Sequence, residues 1–477
     1  MAEAARTRNP HAPRAPDPRK TPPMISRTLR CAATSAVAVG GRGVLLLLLL
    51  LAAGAGVPTS AAHAATTLGC DQATSPILIA SSGAYQLDRS CVYTRRIEIA
   101  ASDVTLDCRR AVISDVDDVN GPGILIAVPT DVALANVLVK NCEVRGFLNN
   151  VRVNREGFKQ LAEGHEYDVQ FSNVRIENSK LYESRGSGIF VNGYVTGVTL
   201  RNLEIAYSGG VGIYLEAGSK GTVVERNHVH DNGYGDVTPE GIPVVVGGIE
   251  FRYLSTGREG IAVDGARDSR IVRNRIENNS AGGIFLYKNC GEDFTQQPNQ
   301  WWTRRYGADS NVIENNKISG AYTGVWIGSR MAENTLFMDC SDPSYISNAV
   351  QRVHLDYARD NVVRRNTFAN VEYGIRVEDD GNRIESNRFR STNAAHQAVL
   401  VGTAHRTNAL GLPVTDTVMT GNSAQIRGNA SPYGWIHGHV GTVFDRNRAS
   451  GRLATLAPGV QPAINFHLFV KELWVAP

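Results

Sequence analysis

The sequence predicts an all-β fold: a single-stranded parallel β-helix, a solenoid in which short strands stack coil upon coil. Two recurring phrases and the composition support this prediction. The chain has 477 residues, of which 42% are hydrophobic and 47 are glycine, a balance that fits a turn-rich β-domain better than a helical one. The first phrase recurs six times, as GIFVNG (188–193), GIYLEA (212–217), GIAVDG (260–265), GIFLYK (283–288), GVWIGS (324–329) and GIRVED (374–379).

Each copy of this phrase has the alternation of a short β-strand. Its second and fourth positions are always aliphatic, whereas its third and fifth positions vary in chemistry. A strand of this length cannot bury its apolar face alone, so the copies must stack and share one interior. We therefore predict a β-helix over residues 104–425, an N-terminal cap at 65–103 and a C-terminal closing segment at 426–477.

The second phrase places an asparagine at one register before an apolar residue, at Asn227, Asn274, Asn316, Asn366 and Asn387. Asparagine tolerates the left-handed backbone of a tight turn. Its amide can also bond the same residue in the coils above and below. These asparagines are therefore predicted to form a structural ladder, and to adopt the left-handed conformation themselves.

Residues 1–64 are interpreted as a disordered leader and a secretory signal peptide that starts at Met24. Two arginines follow Met24, then an apolar run at 44–57 and a small-residue cleavage site before Ala65. A membrane anchor is the alternative, although the run is short for a span and ends in glycine and proline. A lipoprotein site at Cys70 lies well past the run. The prediction is a secreted or periplasmic protein with no membrane contact after cleavage.

The cysteines are interpreted in that light. Cys31 leaves with the signal, and six cysteines remain in an oxidising compartment. A metal site is the less favoured interpretation, because no CxxC pair or histidine cluster accompanies them. The simplest pairing is sequential: Cys70–Cys91 in the cap, Cys108–Cys142 between neighbouring coils, and Cys290–Cys340 between two long loops.

The charge balance restricts the possible partners only slightly. The formal net charge is +3, and 20% of the residues are charged. No basic run with interleaved aromatic residues is present, so nucleic acid is not a predicted partner.

Three insertions interrupt the repeat. A coil needs about two dozen residues, and larger spacings between phrases leave extra segments at about 234–258, 291–307 and 331–352. The first could be an extra coil or a loop. Loops of solenoids often gather on the binding side, and the middle insertion contains Trp301 and Trp302. These rings could grip sugar, or they could merely pack the loop onto the barrel.

Stacking the phrases predicts two outward columns. The third positions align as Arg152, Phe190, Tyr214, Ala262, Phe285, Trp326 and Arg376. The fifth positions align as Asn154, Asn192, Glu216, Asp264, Tyr287, Gly328 and Glu378. An exposed aromatic row needs a cover, either the loops or a bound polysaccharide.

Glu216 and Asp264 would lie almost directly above one another if the first insertion is a loop, because neighbouring strands are about 4.8 Å apart. Such a pair needs a cation, a shared proton or a nearby base. The predicted catalytic residues are therefore Glu216, Asp264, Tyr287 and Lys288. The two acids are also predicted as possible ligands of a Ca²⁺ ion. A solvated surface network is the alternative. The predicted substrate-binding residues are Tyr214, Arg267, Phe285, Trp301, Trp302, Trp326, Arg330 and Arg376.

With its signal peptide, cysteine-bearing cap and alternating GI-x-V and N-x-hydrophobic phrases, the chain resembles a superfamily of right-handed parallel β-helices. This superfamily includes pectate lyases, alginate lyases, mannuronan epimerases, polygalacturonases and inulin fructotransferases. The Asp-Pro-His-Asp motif of the epimerases and the Asn-Thr-Asp, Asp-Asp and Gly-His-Gly set of the polygalacturonases are missing. The resemblance therefore implies the right-handed fold and a secreted protein that acts on polysaccharide, without one activity.

Three functions follow as hypotheses. A lyase or epimerase would act on a uronate, with positive side chains neutralising the substrate carboxylate and Tyr287 moving a proton. A glycoside hydrolase or glycosyl-transferring enzyme would use Glu216 and Asp264 as its carboxylate pair. A non-catalytic glycan-binding protein or adhesin would lack buried, perturbed acids. The positive groups around the pair favour an acidic polysaccharide and elimination.

Overall fold

The computed structural model of the protein describes residues 64–71, 75–115, 121–236, 242–246, 249–253, 257–288, 302, 304–328, 344–347, 352–354, 357–404, 406–407, 412–437, 440–459 and 473–475. Residues 1–63 of the predicted leader and signal peptide (1–64) lie outside these ranges, as do Trp301, Arg330, Cys290 and Cys340. No helix within the described ranges is long and apolar enough to cross a membrane.

Three sheets of 13 strands each run along the described chain, and each coil between the first and the last contributes one strand to sheet I, then sheet II, then sheet III. The first coil has no strand in sheet II, and the last contributes an antiparallel pair to it. Sheet I consists of Thr66–Leu68, Gly83–Leu87, Val104–Asp107, Leu134–Lys140, Phe171–Glu177, Val198–Arg201, Val223–Glu225, Arg270–Val272, Val312–Glu314, Val362–Arg364, Arg383–Glu385, Val418–Thr420 and Val443–Asp445. Sheet II consists of Val92–Tyr93, Val112–Ser114, Glu143–Arg145, Lys180–Tyr182, Glu204–Ala206, His228–His230, Arg275–Glu277, Lys317–Ser319, Thr367–Ala369, Arg388–Ser391, Ser423–Ile426, Arg448–Ala449 and Arg452–Leu453. Sheet III consists of Ile77–Ile79, Ile97–Ile99, Pro122–Pro129, Asn149–Glu156, Ser187–Val191, Ile213–Leu215, Glu259–Asp264, Gly282–Tyr287, Thr323–Ile327, Tyr373–Val377, Gln397–Val401, Tyr433–Trp435 and Ala457–Pro458.

The remaining described elements are small. Short antiparallel strands occur at Ile242–Val246, Ile249–Tyr253, Leu473–Val475, Ser344–Ser347 and Arg352–His354. Single turns of 3₁₀-helix occur at Phe158–Gln160 and Tyr234–Asp236.

The sheets confirm the predicted all-β solenoid. Strands of the recurring phrase stack in parallel within sheet III, with Ile213 opposite Ile261 and Ile284 opposite Val325. The aliphatic second and fourth positions point inward and are fully buried. Their side chains join the main hydrophobic core, which runs from Ile77 to Tyr433. Burial of this shared apolar surface is the main stabilising contribution.

The parallel ladders extend beyond residues 104–425 at both ends. Thr66–Leu68 already pairs with the strand that begins at Gly83, and Ala457–Pro458 still pairs with Tyr433–Trp435. The cap at 65–103 thus contributes strands of its own. Two of the predicted disulfides are present, Cys70–Cys91 and Cys108–Cys142, while Cys290–Cys340 stays a prediction outside the described residues.

The insertion at 234–258 is a loop and not an extra coil. The strands on its two sides, Ile213–Leu215 and Glu259–Asp264, pair directly in sheet III. The inserted segment includes a hairpin of Ile242–Val246 and Ile249–Tyr253, and the second of these strands also pairs with Leu473–Val475 near the end of the chain. The coils before and after the insertion are therefore direct neighbours.

The predicted asparagine ladder is confirmed, and Asn422 and Asn447 extend it. From Asn274 onward, each asparagine amide accepts hydrogen bonds from the backbone and side-chain nitrogens of the asparagine in the preceding coil, as Asn316 does from Asn274 at 2.8 and 2.9 Å. The predicted left-handed conformation lies one residue earlier than expected, at Arg226, Arg273, Asn315, Arg365 and Ser386. That turn directs the next side chain inward, where its amide meets the neighbouring coils.

Candidate functional site

The outward face of sheet III carries the predicted third-position column in register. Phe190 pairs with Tyr214, Tyr214 with Ala262, and Phe285 with Trp326. The rings of Phe190 and Tyr214 stack with centroids 4.8 Å apart. Phe285 and Trp326 are fully buried, whereas Tyr214 and Phe190 retain some exposure. The face is therefore open near Phe190 and Tyr214 and covered farther along the helix.

Asp264 is the centre of a buried hydrogen-bonded triad. The Tyr214 hydroxyl donates a hydrogen bond to Asp264 Oδ2, and Arg304 Nη1 lies 3.4 Å from the same oxygen. The Asp264 side chain is fully buried, and 16% of the Arg304 side chain is exposed. Burial, together with the charge of Asp264, raises the pKa of Tyr214 well above its ordinary value. Tyr214 is therefore a neutral proton donor at neutral pH.

Glu216 lies on the coil preceding Asp264. Its Oε2 atom accepts hydrogen bonds from Asn192 Nδ2 at 2.8 Å and from the backbone N–H of Gly193 at 3.1 Å. Burial raises the pKa of Glu216; Arg304 opposes this shift, and Asp264 adds to it. The raised pKa makes Glu216 a stronger base, when ionised, than an ordinary glutamate.

A second buried polar cluster adjoins the first. The Tyr287 hydroxyl donates to Glu259 Oε1 at 2.8 Å, and Arg258 Nε lies 3.4 Å from Glu259 Oε2. Burial is the main cause that raises the pKa of Tyr287, and the charge of Glu259 is the next. The structure therefore gives Tyr287 its own carboxylate partner, although its strand position is opposite Asp264 as predicted.

The covered end of the face is held by another ion pair. Arg376 and Glu378 pair through Nη2 and Oε1, and Trp326 Nε1 donates to Glu378 Oε2 at 2.9 Å. All three side chains are buried. The predicted role of Trp326 and Arg376 in contacting substrate therefore needs a change of conformation, because both side chains already donate hydrogen bonds to Glu378.

Three cationic side chains surround the open part of the face. Arg152 Nε donates to Asn192 Oδ1 at 2.7 Å, and Lys159 lies near Glu216, Arg152 and Arg304 in the turn at 158–160. Although burial lowers the pKa of Arg304, the neighbouring acidic groups, Asp264 first among them, raise it overall. Two acids are thus surrounded by Arg152, Lys159 and Arg304, all of which are partly exposed.

Other predicted site residues take up structural positions. Trp302 is 5% exposed and packs edge-on against Phe158 and Tyr194, with centroids 5.2 and 5.3 Å away. It therefore fits the packing alternative and corrects the prediction of a sugar-contacting ring. The Arg267 guanidinium lies over the Tyr306 ring at 4.0 Å. Lys288 is 2% exposed, and its charge acts on Asp309. The predictions for Trp301 and Arg330 concern residues outside the described ranges.

The structure adds site residues that the sequence prediction missed. Arg304 comes from the predicted loop at 291–307, where no repeat fixes the position of a side chain. Glu259 was detectable in principle, because it precedes the glycine of its phrase and the other copies have no acid there. Those copies carry Ser187, Val211, Gly282, Thr323 and Tyr373 at this position.

Calcium fits the two acids poorly as they are arranged here. Ca²⁺ takes six to eight oxygen ligands. The described neighbours of Asp264 Oδ2 and Glu216 Oε2 are instead hydrogen-bond donors, from Tyr214, Arg304, Asn192 and Gly193. A cation would have to displace these donors, so no step of the chemistry is derived through one.

The comparisons with known proteins agree with this architecture. A family model described as the right-handed β-helix region matches residues 114–300 and 304–445. The chain is similar to the A-module of the mannuronan C-5 epimerase AlgE6 of Azotobacter vinelandii, with a TM-score of 0.53 and 15% identity over 80% of this chain and 89% of that one. It is also similar to a tailspike protein of the E. coli bacteriophage HK620, with a TM-score of 0.46 and 12% identity over 79% of this chain and 60% of that one.

No curated protein matches the sequence. At these identities the solved structures show the fold alone. The family model covers well over half of the chain, and the three stacked parallel sheets are the architecture that it describes. The protein therefore belongs to the right-handed β-helix family.

Proposed function

We propose that the protein is an exported enzyme that binds a uronate-containing polysaccharide on the outward face of sheet III and acts on it as a lyase or an epimerase. The observation that carries the proposal is the triad of Tyr214, Asp264 and Arg304 beside Glu216. It provides a proton donor, a base and a cation within one partly exposed cluster. The similar module from Azotobacter vinelandii is named as an epimerase of mannuronan, a reaction of the proposed class.

The cations explain the choice of an acidic substrate. Removing the proton beside a uronate carboxylate leaves negative charge on that carboxylate, and a guanidinium stabilises this charge best when water is excluded. Arg304 is largely buried and lies next to both acids, while Arg152 and Lys159 extend the positive surface. A neutral glycan would gain nothing from these three charges.

The acids and the phenol supply the proton transfers. Glu216 takes the proton from carbon 5 of the sugar, as a base whose pKa is raised by burial. In elimination, the bond from carbon 4 to the glycosidic oxygen breaks, a double bond forms between carbons 4 and 5, and Tyr214 gives its proton to the leaving oxygen. In epimerisation, Tyr214 returns a proton to carbon 5. Asp264 orients the Tyr214 hydroxyl in both reactions.

Hydrolysis is the second candidate, and a specific observation favours it. Glu216 has a raised pKa, as a general acid requires, and Asp264 lies on the next coil, close enough for a retaining pair. Asp264 is already engaged by Tyr214 and Arg304, which makes it a weaker nucleophile. A non-catalytic adhesin has no need of a buried acid with a raised pKa.

The products decide between these functions. The protein is incubated with polymannuronate, polyguluronate, polygalacturonate and neutral glycans in deuterated water. New ultraviolet absorbance indicates a lyase, and deuterium at carbon 5 without absorbance indicates an epimerase. New reducing ends alone indicate a hydrolase. Binding without any product, retained in Glu216→Ala, indicates an adhesin and contradicts the proposal.

A tyrosine variant tests the assigned site. We expect Tyr214→Phe to lower the rate by about 10²–10⁴-fold, the usual contribution of a general acid or base. The matched control is Tyr433→Phe, since Tyr433 is also a buried tyrosine of sheet III and its hydroxyl donates to Arg448 O at 3.1 Å. If both variants retain the wild-type rate, the site is misplaced.

A further inference from the structure

A second cluster of chemistry-bearing side chains lies on sheet II, away from the site described above. Glu204 and His228 are opposite one another in adjacent strands, and His230 follows His228 on the same side of its strand. One ligand atom from each of these three residues lies within 4.8 Å of the others. The two imidazole rings stack with centroids 4.0 Å apart.

The two ring nitrogens of His230 differ: Nδ1 is hydrogen-bonded to Asp231, and Nε2 is not hydrogen-bonded to any described residue. Its Nδ1 atom lies 2.7 Å from Asp231 Oδ2, so Nδ1 carries the proton and donates it. Its Nε2 atom is buried and has no hydrogen-bond partner among the residues that the structure describes. The nearest carboxylate oxygen is Glu204 Oε1, at 3.7 Å. A buried imidazole lone pair without a donor is costly unless a ligand satisfies it.

His228 is arranged in the same way. Its Nε2 atom lies 3.2 Å from Glu277 Oε2, which leaves Nδ1 to accept. Both histidines thus show the pattern of metal-bound imidazoles, in which a carboxylate holds the N–H and fixes the tautomer.

The charges facing the cluster leave room for a cation. Lys180 Nζ lies 3.5 Å from Glu204 Oε2, and Arg275 Nε lies 2.7 Å from Glu277 Oε2. The other oxygen of Glu204, Oε1, faces His230. Lys180 is 56% exposed and is free to turn towards solvent.

We propose that Glu204, His228 and His230 bind a divalent late first-row metal ion, with Zn²⁺ as the committed ligand. Two imidazoles and one carboxylate form a donor set that Zn²⁺ accepts, at about 2.0–2.2 Å from each atom. Closing the three atoms around an ion needs a small shift of Glu204, whose side chain is 37% exposed. Asp231 and Glu277 hold the two rings from behind. This proposal is independent of the function assigned to sheet III.

The test uses the full protein after dialysis against a chelator, with Co²⁺ followed by absorbance and Zn²⁺ by calorimetry. We expect one equivalent of Co²⁺ to bind and one equivalent of Zn²⁺ to displace it. His230→Ala and Glu204→Gln should abolish this stoichiometric uptake. Asp231→Asn should weaken binding about 10–100-fold, the usual effect of losing a carboxylate behind a ligand.

Two controls keep the outcome clear. His165→Ala removes a histidine whose Nδ1 also lies 2.8 Å from an aspartate, Asp168, but whose side chain is 69% exposed, and it should bind metal as the wild type does. Asp231 has a left-handed backbone with φ of 54°, a conformation that asparagine tolerates, so Asp231→Asn should fold even if His230→Ala does not. Absence of Co²⁺ uptake by the wild type, or equal uptake by Asp231→Asn, overturns the proposal.

Discussion

The asparagine ladder and the outward face of sheet III both contain side chains that recur once per coil, yet they differ in composition. Every member of the ladder from Asn227 to Asn447 is the same residue and bonds the next one. The outward face changes at every step, from Phe190 to Tyr214 and from Asn192 to Glu216. A column of one residue type satisfies itself, whereas a mixed column needs partners from outside the repeat.

The partners of the mixed column come from segments beyond the strands. Arg304 belongs to a loop, Lys159 to a 3₁₀ turn, and Arg258 to the end of an insertion. These charges stabilise the buried acids, which the repeat alone would leave uncompensated. Substitutions in the ladder should therefore lower stability and leave activity intact. Substitutions in the face should lower activity and have smaller effects on stability.

The largest stability effect is expected in the ladder, from Asn316→Ala. This change leaves two buried donors of Asn274 and the backbone carbonyl of Ile271 without their partner. Each unsatisfied buried group costs about 1–3 kcal/mol, so the midpoint of denaturant unfolding should fall clearly. The rate per folded molecule should not change. Gln425→Ala, at an exposed strand position, is the control and should leave the midpoint as it is.

A smaller, pH-dependent effect of opposite sign is expected at Glu216. Its pKa is raised by burial, so the folded protein holds this proton more tightly than the unfolded chain does. Stability from this group is complete below the ordinary glutamate pKa and is lost as pH rises through the raised value. Glu216→Gln should therefore gain stability relative to the wild type as pH rises through that window, while activity falls.

Glu314→Gln is the matched control for that experiment. Burial raises the pKa of Glu314, but hydrogen bonds from Arg364 and Arg365 lower it overall. Its stabilising contribution is present above the ordinary glutamate pKa and is lost as pH falls through the lowered value. Unfolding curves across pH should therefore diverge in opposite directions for the two variants. Parallel curves would contradict the assigned environment of Glu216.

The smallest effect is expected from calcium removal. The oxygens of Asp264 and Glu216 described above accept from protein donors, so a calcium-selective chelator should leave the rate on a uronate polymer unchanged. The measurement is the initial rate with chelator and after Ca²⁺ is restored. A rate that falls and then recovers would show that the reaction depends on Ca²⁺, and would support the metal role first predicted for the two acids.

The repeating part of the structure could be predicted from the sequence. The register of Tyr214, Ala262 and Phe285 followed from the alternation of a five-residue strand, and the pairing confirms it. The ladder followed from asparagines at one repeated position. Both predictions rest on the coil repeat, which fixes where a side chain points without knowledge of its contacts.

The contacts that the sequence could not predict are those of segments and side chains whose partners lie outside the repeat. Tyr287 was predicted to move the proton, but Tyr214 is the phenol that bonds Asp264, because Glu259 holds Tyr287. Trp302 was predicted to contact sugar, but Phe158 and Tyr194 bury it. Arg304 could not be placed at all, since the path of its loop depends on contacts that no periodicity records.

The direct pairing of Ile213–Leu215 with Glu259–Asp264 makes the separation of Glu216 and Asp264 independent of the inserted segment between these strands. The spacing of the two acids is set by the rise from one rung to the next, whatever length of chain departs and returns between them. Under the proposed function, the insertion could therefore be lengthened, shortened or exchanged to change which glycan binds, while Glu216 and Asp264 keep their separation.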